Sequence, residues 1–175
     1  TILKYGVIAG LVVGGFELIT FVAFSGMPPL KYGMVIGYTT MLIALSAVFV
    51  GIKRHRDVDR GGVIGFWRAF GIGVGISFIA GIFYVAAWEI VQSMTHMDFA
   101  SSYSRAVIAG AKAKGASAAE LAKLTADMAK FKVQYADPLF RLPMTFIEIF
   151  PVGVLVSLIS AALLRNSRFL APRRA

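Results

Sequence analysis

Four stretches of this chain are apolar for long enough to cross a lipid bilayer, and that pattern alone removes most folds from consideration. A helix needs roughly 20 predominantly apolar residues to span the hydrocarbon core. Its backbone must also satisfy its own hydrogen bonds there, which helices do and open sheets cannot. Stretches at about 2–24, 32–52, 64–91 and 139–164 meet the length. The expected fold class is therefore all-α, an integral membrane four-helix bundle built as one domain over residues 1–175. The residue balance agrees: 15% of residues are charged, where a soluble domain carries about a quarter. The first stretch is too long, and lacks the small-residue cleavage site, to read as a removable signal peptide.

The formal charge of +9 would suggest nucleic acid if the basic residues formed one face. They sit instead at span ends and in loops, which is a topology signal. Lys53, Arg54, Arg56 and Arg60 crowd one short polar loop, 53–62, and Arg165, Arg168, Arg173 and Arg174 crowd the tail. With four spans, loop, tail and N-terminus fall on one side, and the excess of Lys and Arg makes that side cytoplasmic. The expectation is a multi-pass protein of the inner (cytoplasmic) membrane, with both termini inside and the bilayer as its first partner. Ser25-Gly26-Met27-Pro28-Pro29 breaks the chain between the first two spans. Trp67 and Trp88, near the two ends of the third, read as interfacial anchors.

Between spans three and four, about 97–136 reads as an extramembrane helical hairpin on the periplasmic side. Ser117-Ala118-Ala119-Glu120 has the form of a capping box, with Gly115 just before it. Leu121, Leu124, Met128, Phe131 and Tyr135 then repeat at helical spacing, and Asp137-Pro138 ends the run. Phe99, Tyr103 and Val107 mark a partner helix that ends near Lys114. The two stripes can pack on each other or on lipid, or form a docking surface for another protein.

Small residues form the next pattern. Gly6, Gly10 and Gly14 recur at four-residue intervals in the first span. The third holds Gly71 with Gly75, and Gly73, Ser77 and Gly81, at the same spacing. Such stripes let helix backbones approach closely where lipid supplies no hydrophobic drive. The stripes fit packing within one chain and packing between chains alike.

Three of the four glutamates, Glu17, Glu89 and Glu148, lie in or at the edge of the spans. A carboxylate in hydrocarbon is costly and needs a partner, a proton, a cation or a wet cavity. Glu17 continues the glycine stripe of its helix and so should face the protein interior. Glu148 shares a face with Thr145, Arg141 and Val152, at a depth that matches Glu17. Glu89 stands close to the outer end of span three and has an interfacial reading. The expected arrangement is one polar cluster of Glu17, Glu89, Glu148 and Arg141, with Glu17 and Glu148 in contact and Arg141 reaching towards the carboxylates. Protonated side chains that lock the bundle, a proton- or cation-responsive site, and contact with a basic residue of a partner are the three readings. Pro151 should bend span four and free a backbone carbonyl near Glu148.

Chemistry of other kinds is not indicated. His55 and His96 belong to loops on opposite sides, the chain has no cysteine, and no serine in a span has a histidine to activate it. No nucleotide motif, metal-ligand spacing or cofactor signature is present, so the expectation is a non-enzyme with no cofactor. At Gly65-Phe66-Trp67-Arg68-Ala69-Phe70, at Trp88-Glu89-Ile90, and from Pro138-Leu139-Phe140-Arg141 through Thr145-Phe146-Ile147-Glu148-Ile149-Phe150-Pro151-Val152-Gly153, the chain resembles the bacterial membrane proteins known as domain of unknown function 4199. The resemblance implies a four-helix inner-membrane protein and carries no activity with it. The leading expectation is a structural or accessory subunit of a larger membrane complex, in contact with other membrane subunits or with its own copies. The alternative is a small proton- or cation-coupled transporter or channel that uses the intramembrane glutamates.

Overall fold

A computed structural model describes residues 1–23, 33–96 and 98–171, and they are helical nearly throughout. The elements are α1 (Ile2–Ala23), α2 (Gly33–Arg54), α3 (Phe66–Thr95), α4 (Phe99–Ala113), α5 (Ala118–Ala136) and α6 (Pro138–Leu164). Among the described residues, four helices, α1, α2, α3 and α6, are long and apolar enough to cross a membrane. The break expected at 25–29 lies outside the described residues. Large apolar side chains cover the outside of these helices: Leu3 is 69% exposed, Ile19 71% and Ile43 62%. A soluble monomer does not present apolar surface on that scale. The surface is made for lipid.

Glycine decides how the long helices meet. Along α1, Gly6 faces Ile79, Gly10 faces Phe83 and Gly14 faces Ala87 on α3, so the two helices run parallel in one register. The other side of α3 meets α6 in the opposite sense. Gly73 opposes Ser157 and Ser77 opposes Gly153, with Gly81 against Phe146 nearer the other end. Each serine hydroxyl donates to the carbonyl four residues earlier, Ser77 to Gly73 at 2.9 Å and Ser157 to Gly153 at 2.7 Å. The hydroxyls themselves lie 3.3 Å apart, so the seam holds polar groups yet leaves none unsatisfied. Gly75 takes Ile2 of α1, while Gly71 has no atom within reach of an added Cβ and takes no part in packing.

Helix α2 packs on α1, α3 and α6, and it contributes Met41, Ala44, Leu45, Val48 and Ile52 to the core. Helices α1 and α6 are not among the closely packed pairs. Each of them packs on α3 and on α2.

The end that carries the basic loop departs from the expected span of 32–52 and loop of 53–62. Helix α2 runs to Arg54 and continues as a wider π-helical turn, His55–Asp59. Side-chain pairs four residues apart extend it: Lys53 Nζ is 2.5 Å from Asp57 Oδ2, and His55 Nδ1 is 2.7 Å from Asp59 Oδ2. The chain then reverses at Gly61 and Gly62, whose φ values of 64° and 92° suit glycine. Arg56 in this turn is fully buried and grips the segment after α6. Its Nη1 donates to Phe169 O at 2.8 Å, its Nη2 to Leu170 O at 2.9 Å and its Nε to Asp57 Oδ1 at 2.6 Å.

At the opposite end, α4 and α5 pack on each other, with Tyr103 against Phe131. Asp98 caps α4 through a bond from Ser101 N at 2.9 Å. Ser117 and Glu120 close as a capping box on α5, and the Ser117 backbone N–H, then its hydroxyl, hold the Glu120 carboxyl below its ordinary value. Asp137 ends α5 and also caps α6, accepting from Leu139 N at 2.9 Å, with Pro138 as the first helical residue.

Candidate functional site

Helix α3 is 30 residues long, about 45 Å at ~1.5 Å per residue. The hydrocarbon of a bilayer takes about 30 Å of that. The last turns of α3 carry Glu89. There the expected four-residue cluster divides into two sites.

The outer site is a joint between α3, α5 and α6. Arg141 meets Glu89 as a fork, Nε to Oε1 and Nη2 to Oε2, both at 2.7 Å. The remaining Nη1 donates to the backbone carbonyl of Tyr135 at 3.1 Å. Tyr135 also accepts a 2.7 Å bond at its hydroxyl from Trp88 Nε1. Burial pushes the Tyr135 phenol above its ordinary value, so it stays neutral as that acceptor. Trp88 is only 6% exposed, covered by Phe21, Phe99 and Tyr135, and is not the interfacial anchor the sequence suggested. Trp67, at 78% exposure, keeps an anchor's position. Arg141 is thus committed to Glu89, and the expectation that it reaches the deeper carboxylates is corrected.

A planar fork on a carboxylate, sheltered by an aromatic wall, is stronger than an exposed ion pair. A double-mutant cycle with Glu89→Gln and Arg141→Met is expected to give a coupling of about 1–3 kcal/mol in detergent unfolding. Arg141→Lys keeps the charge without the fork and should recover less than half of it. A coupling below about 0.5 kcal/mol would reduce the pair to a surface contact.

The inner site lies within the spans and holds Glu17, Glu148 and Tyr84. Glu17 on α1 is 7% exposed, and its Oε2 is without a hydrogen-bond partner among the described residues. Glu148 on α6 is exposed and interacts with both Glu17 and the hydroxyl of Tyr84. Tyr84 on α3 is buried between them, and Tyr38 of α2 adds a second phenol beside it. The helix registers put Glu17 nearer the α4–α5 hairpin than Glu148. Gly14 faces Ala87, whereas Gly81 faces Phe146.

Tyr84, Tyr38, Tyr135 and Arg56 were not singled out as site residues from sequence. A tyrosine in an apolar run reads as one more large side chain, and only its neighbours reveal the hydroxyl's task. His55 and His96 stand at opposite ends of the molecule, and among the described residues no group of three or more histidine, aspartate or glutamate side chains could hold a metal.

Residues 4–166 match the model of a family described as protein of unknown function, DUF4199. No curated protein and no solved structure matches the chain.

Proposed function

The chain belongs to the DUF4199 family, whose description carries no activity, and from its own residues we propose that it is a non-enzymatic inner-membrane protein that docks a two-helix arm on a larger membrane complex. In this reading α1, α2, α3 and α6 form a four-helix bundle across the bilayer. The positive-inside rule sets Arg54, Arg56, Arg60, Arg165 and Arg168 in the cytoplasm with both termini. The α4–α5 hairpin then stands in the periplasm.

The observation that carries the reading is the way the arm is mounted. Trp88, Glu89 and Arg141 fix Tyr135 at the foot of α5 through three side chains and both ends of that residue. Beyond that foot, Lys123, Asp127, Lys130, Lys132 and Val133 are exposed, Val133 at 76%. A hairpin needed only to connect two spans gains nothing from a fixed pose. One that presents a surface to a partner does, because preorganisation lowers the entropy cost of docking.

The test is extraction of the native membrane in mild detergent, followed by sizing with the chain tagged. The wild type should elute in an assembly with defined companions. A variant in which residues 99–136 are replaced by a short flexible linker should leave it. Recovery of the wild type as a free 18.8 kDa chain would sink the reading. A carrier of protons or cations is the second reading, favoured by the buried, unpartnered Oε2 of Glu17. It requires that Glu17→Gln with Glu148→Gln abolish ion-driven flux in liposomes.

A further inference from the structure

Five arginines stand uncompensated at the end of the spans opposite the α4–α5 hairpin. Arg54 ends α2, Arg60 follows its π-helical turn, Arg68 lies in the first turn of α3, and Arg165 and Arg168 follow α6. All five are exposed, and none forms an ion pair among the described residues. The described residues offer two carboxylates at this end, Asp57 and Asp59, and both are taken. Asp57 holds Lys53 and Arg56, while Asp59 holds His55 and the Thr1 hydroxyl. Folding gathers the free cations from distant parts of the chain. Arg56 donates to the carbonyls of Phe169 and Leu170, which ties the segment with Arg165 and Arg168 to the turn between Arg54 and Arg60. With Gly73 opposite Ser157, Arg165 and Arg68 differ in height by about one helical turn.

Apolar side chains are exposed among these cations. Trp67 is 78% exposed, and Val58, Val63 and Leu170 are each more than half exposed. Val58 and Val63 flank Arg60 in sequence, and Trp67 adjoins Arg68. A soluble acidic partner or a nucleic acid would answer the cations and leave the apolar groups unexplained. The boundary between headgroups and acyl chains suits both, since guanidinium meets phosphate while Trp, Val and Leu enter the apolar edge. Guanidinium is planar and presents paired donors, which match the oxygens of a phosphodiester. Unopposed cations favour a lipid of negative net charge over a zwitterionic one, whose own ammonium repels them. We propose that Arg54, Arg60, Arg68, Arg165 and Arg168 seat the headgroup phosphates of anionic phospholipids in a belt around this end of the spans. The proposal rests on the part of the reading above that sets the helices in a bilayer. It is independent of arm docking and of which leaflet this end meets.

The test uses the full chain, purified in mild detergent and titrated with phosphatidylglycerol or phosphatidylcholine. Bound lipid per chain is counted by native mass spectrometry, and the thermal unfolding midpoint is followed in parallel. At low salt, phosphatidylglycerol should be retained about tenfold or more over phosphatidylcholine and should raise the midpoint further. The preference should fall severalfold at about 0.5 M sodium chloride, where surface charges are screened. Arg60→Gln and Arg168→Gln should each lower it by up to roughly fivefold, and replacing all five arginines by glutamine should abolish it. Retention of phosphatidylcholine should stay unchanged throughout, which damage to the fold would not allow. Arg60→Lys, which keeps the charge, should retain most of the preference, and Lys123→Gln in the arm all of it. If the combined variant fails to fold, the two single variants and the salt dependence decide. Equal retention of the two lipids, or a preference that survives loss of the arginines, overturns the proposal. So does an equal rise in midpoint with glycerol phosphate or polyglutamate, because a free anion or a soluble acidic partner then fits as well. Failure of the arm to hold a complex would leave these lipid counts untouched, so the two readings fail separately.

Discussion

Arg56→Ala is expected to lower stability in detergent by about 3–5 kcal/mol, the range for removing one partner from a buried charge network. Arg56 has no exposed surface and makes short bonds to Phe169 O, Leu170 O and the Asp57 carboxylate. Alanine would leave two carbonyls and one carboxylate in a cavity the size of the lost side chain. The tail has little else to hold its shape. Leu170 adopts φ 49°, a left-handed conformation that costs a leucine about 1 kcal/mol or more. Phe169 rests edge-on against Phe49 at 6.5 Å. Loss of the guanidinium should therefore release residues 166–171 as well as weaken the end of α2. Hydrogen exchange would show it as new, fast exchange in that segment, with the arm at the far end unchanged. Arg56→Lys should recover less than half of the loss, because one ammonium cannot reach both carbonyls and Asp57 in the fork's geometry. A loss below about 1 kcal/mol for alanine would mean that the tail holds itself.

How much of this could be read from sequence depends on which physical rule each feature obeys. The four spans are legible because hydrocarbon permits so few backbone solutions. The ends of the helices are less so. Span three was read to Val91 with Trp88 as an anchor, yet α3 continues to Thr95 and buries Trp88 beneath Phe99 and Tyr135. Length beyond the bilayer has no compositional mark when the extra turns are themselves apolar. The π-helical turn was legible in principle, since Lys53 with Asp57 and His55 with Asp59 stand at helical spacing. The polar run disguised them as a loop. The pairing of Glu89 with Arg141 was not legible. The residues are 52 apart in sequence, and only the register of α3 against α6 brings them together. That register is set by glycines whose partners a sequence does not name. Depth counted from span ends put Glu17 and Glu148 level, whereas the glycine registers stagger them. The inner site therefore emerges from packing, with Tyr84 as the member no pattern flagged.

The same registers make Gly153 the position where one substitution should do the most damage to the spans. A Cβ there would lie 2.5 Å from Ser77 Cβ and 2.7 Å from its Oγ, the root of a side chain that has no room to turn aside. Gly153→Ala must push α6 away from α3 along a seam that also holds Gly73 against Ser157. Overpacking of this kind costs about 1–3 kcal/mol. Gly153→Leu adds a branched side chain to the same gap and is expected to cost about 3 kcal/mol or more. Separation of the helices would also strip the close backbone contacts that replace a hydrophobic drive between spans. Two controls distinguish a steric effect from a general dislike of larger residues. Gly71 lies on the same helix as Ser77 with nothing within 4 Å, so Gly71→Leu should be neutral or slightly stabilising through helix propensity. Ser77→Gly in the background of Gly153→Ala removes the atoms that the new methyl strikes. It exchanges which helix carries the small residue, and most of the lost stability should return. If Gly153→Ala is harmless on its own, α3 and α6 are not held at the separation that the Ser77–Gly153 contact requires. The depth at which Glu148 meets Tyr84, which depends on that seam five residues away, would then need a different basis.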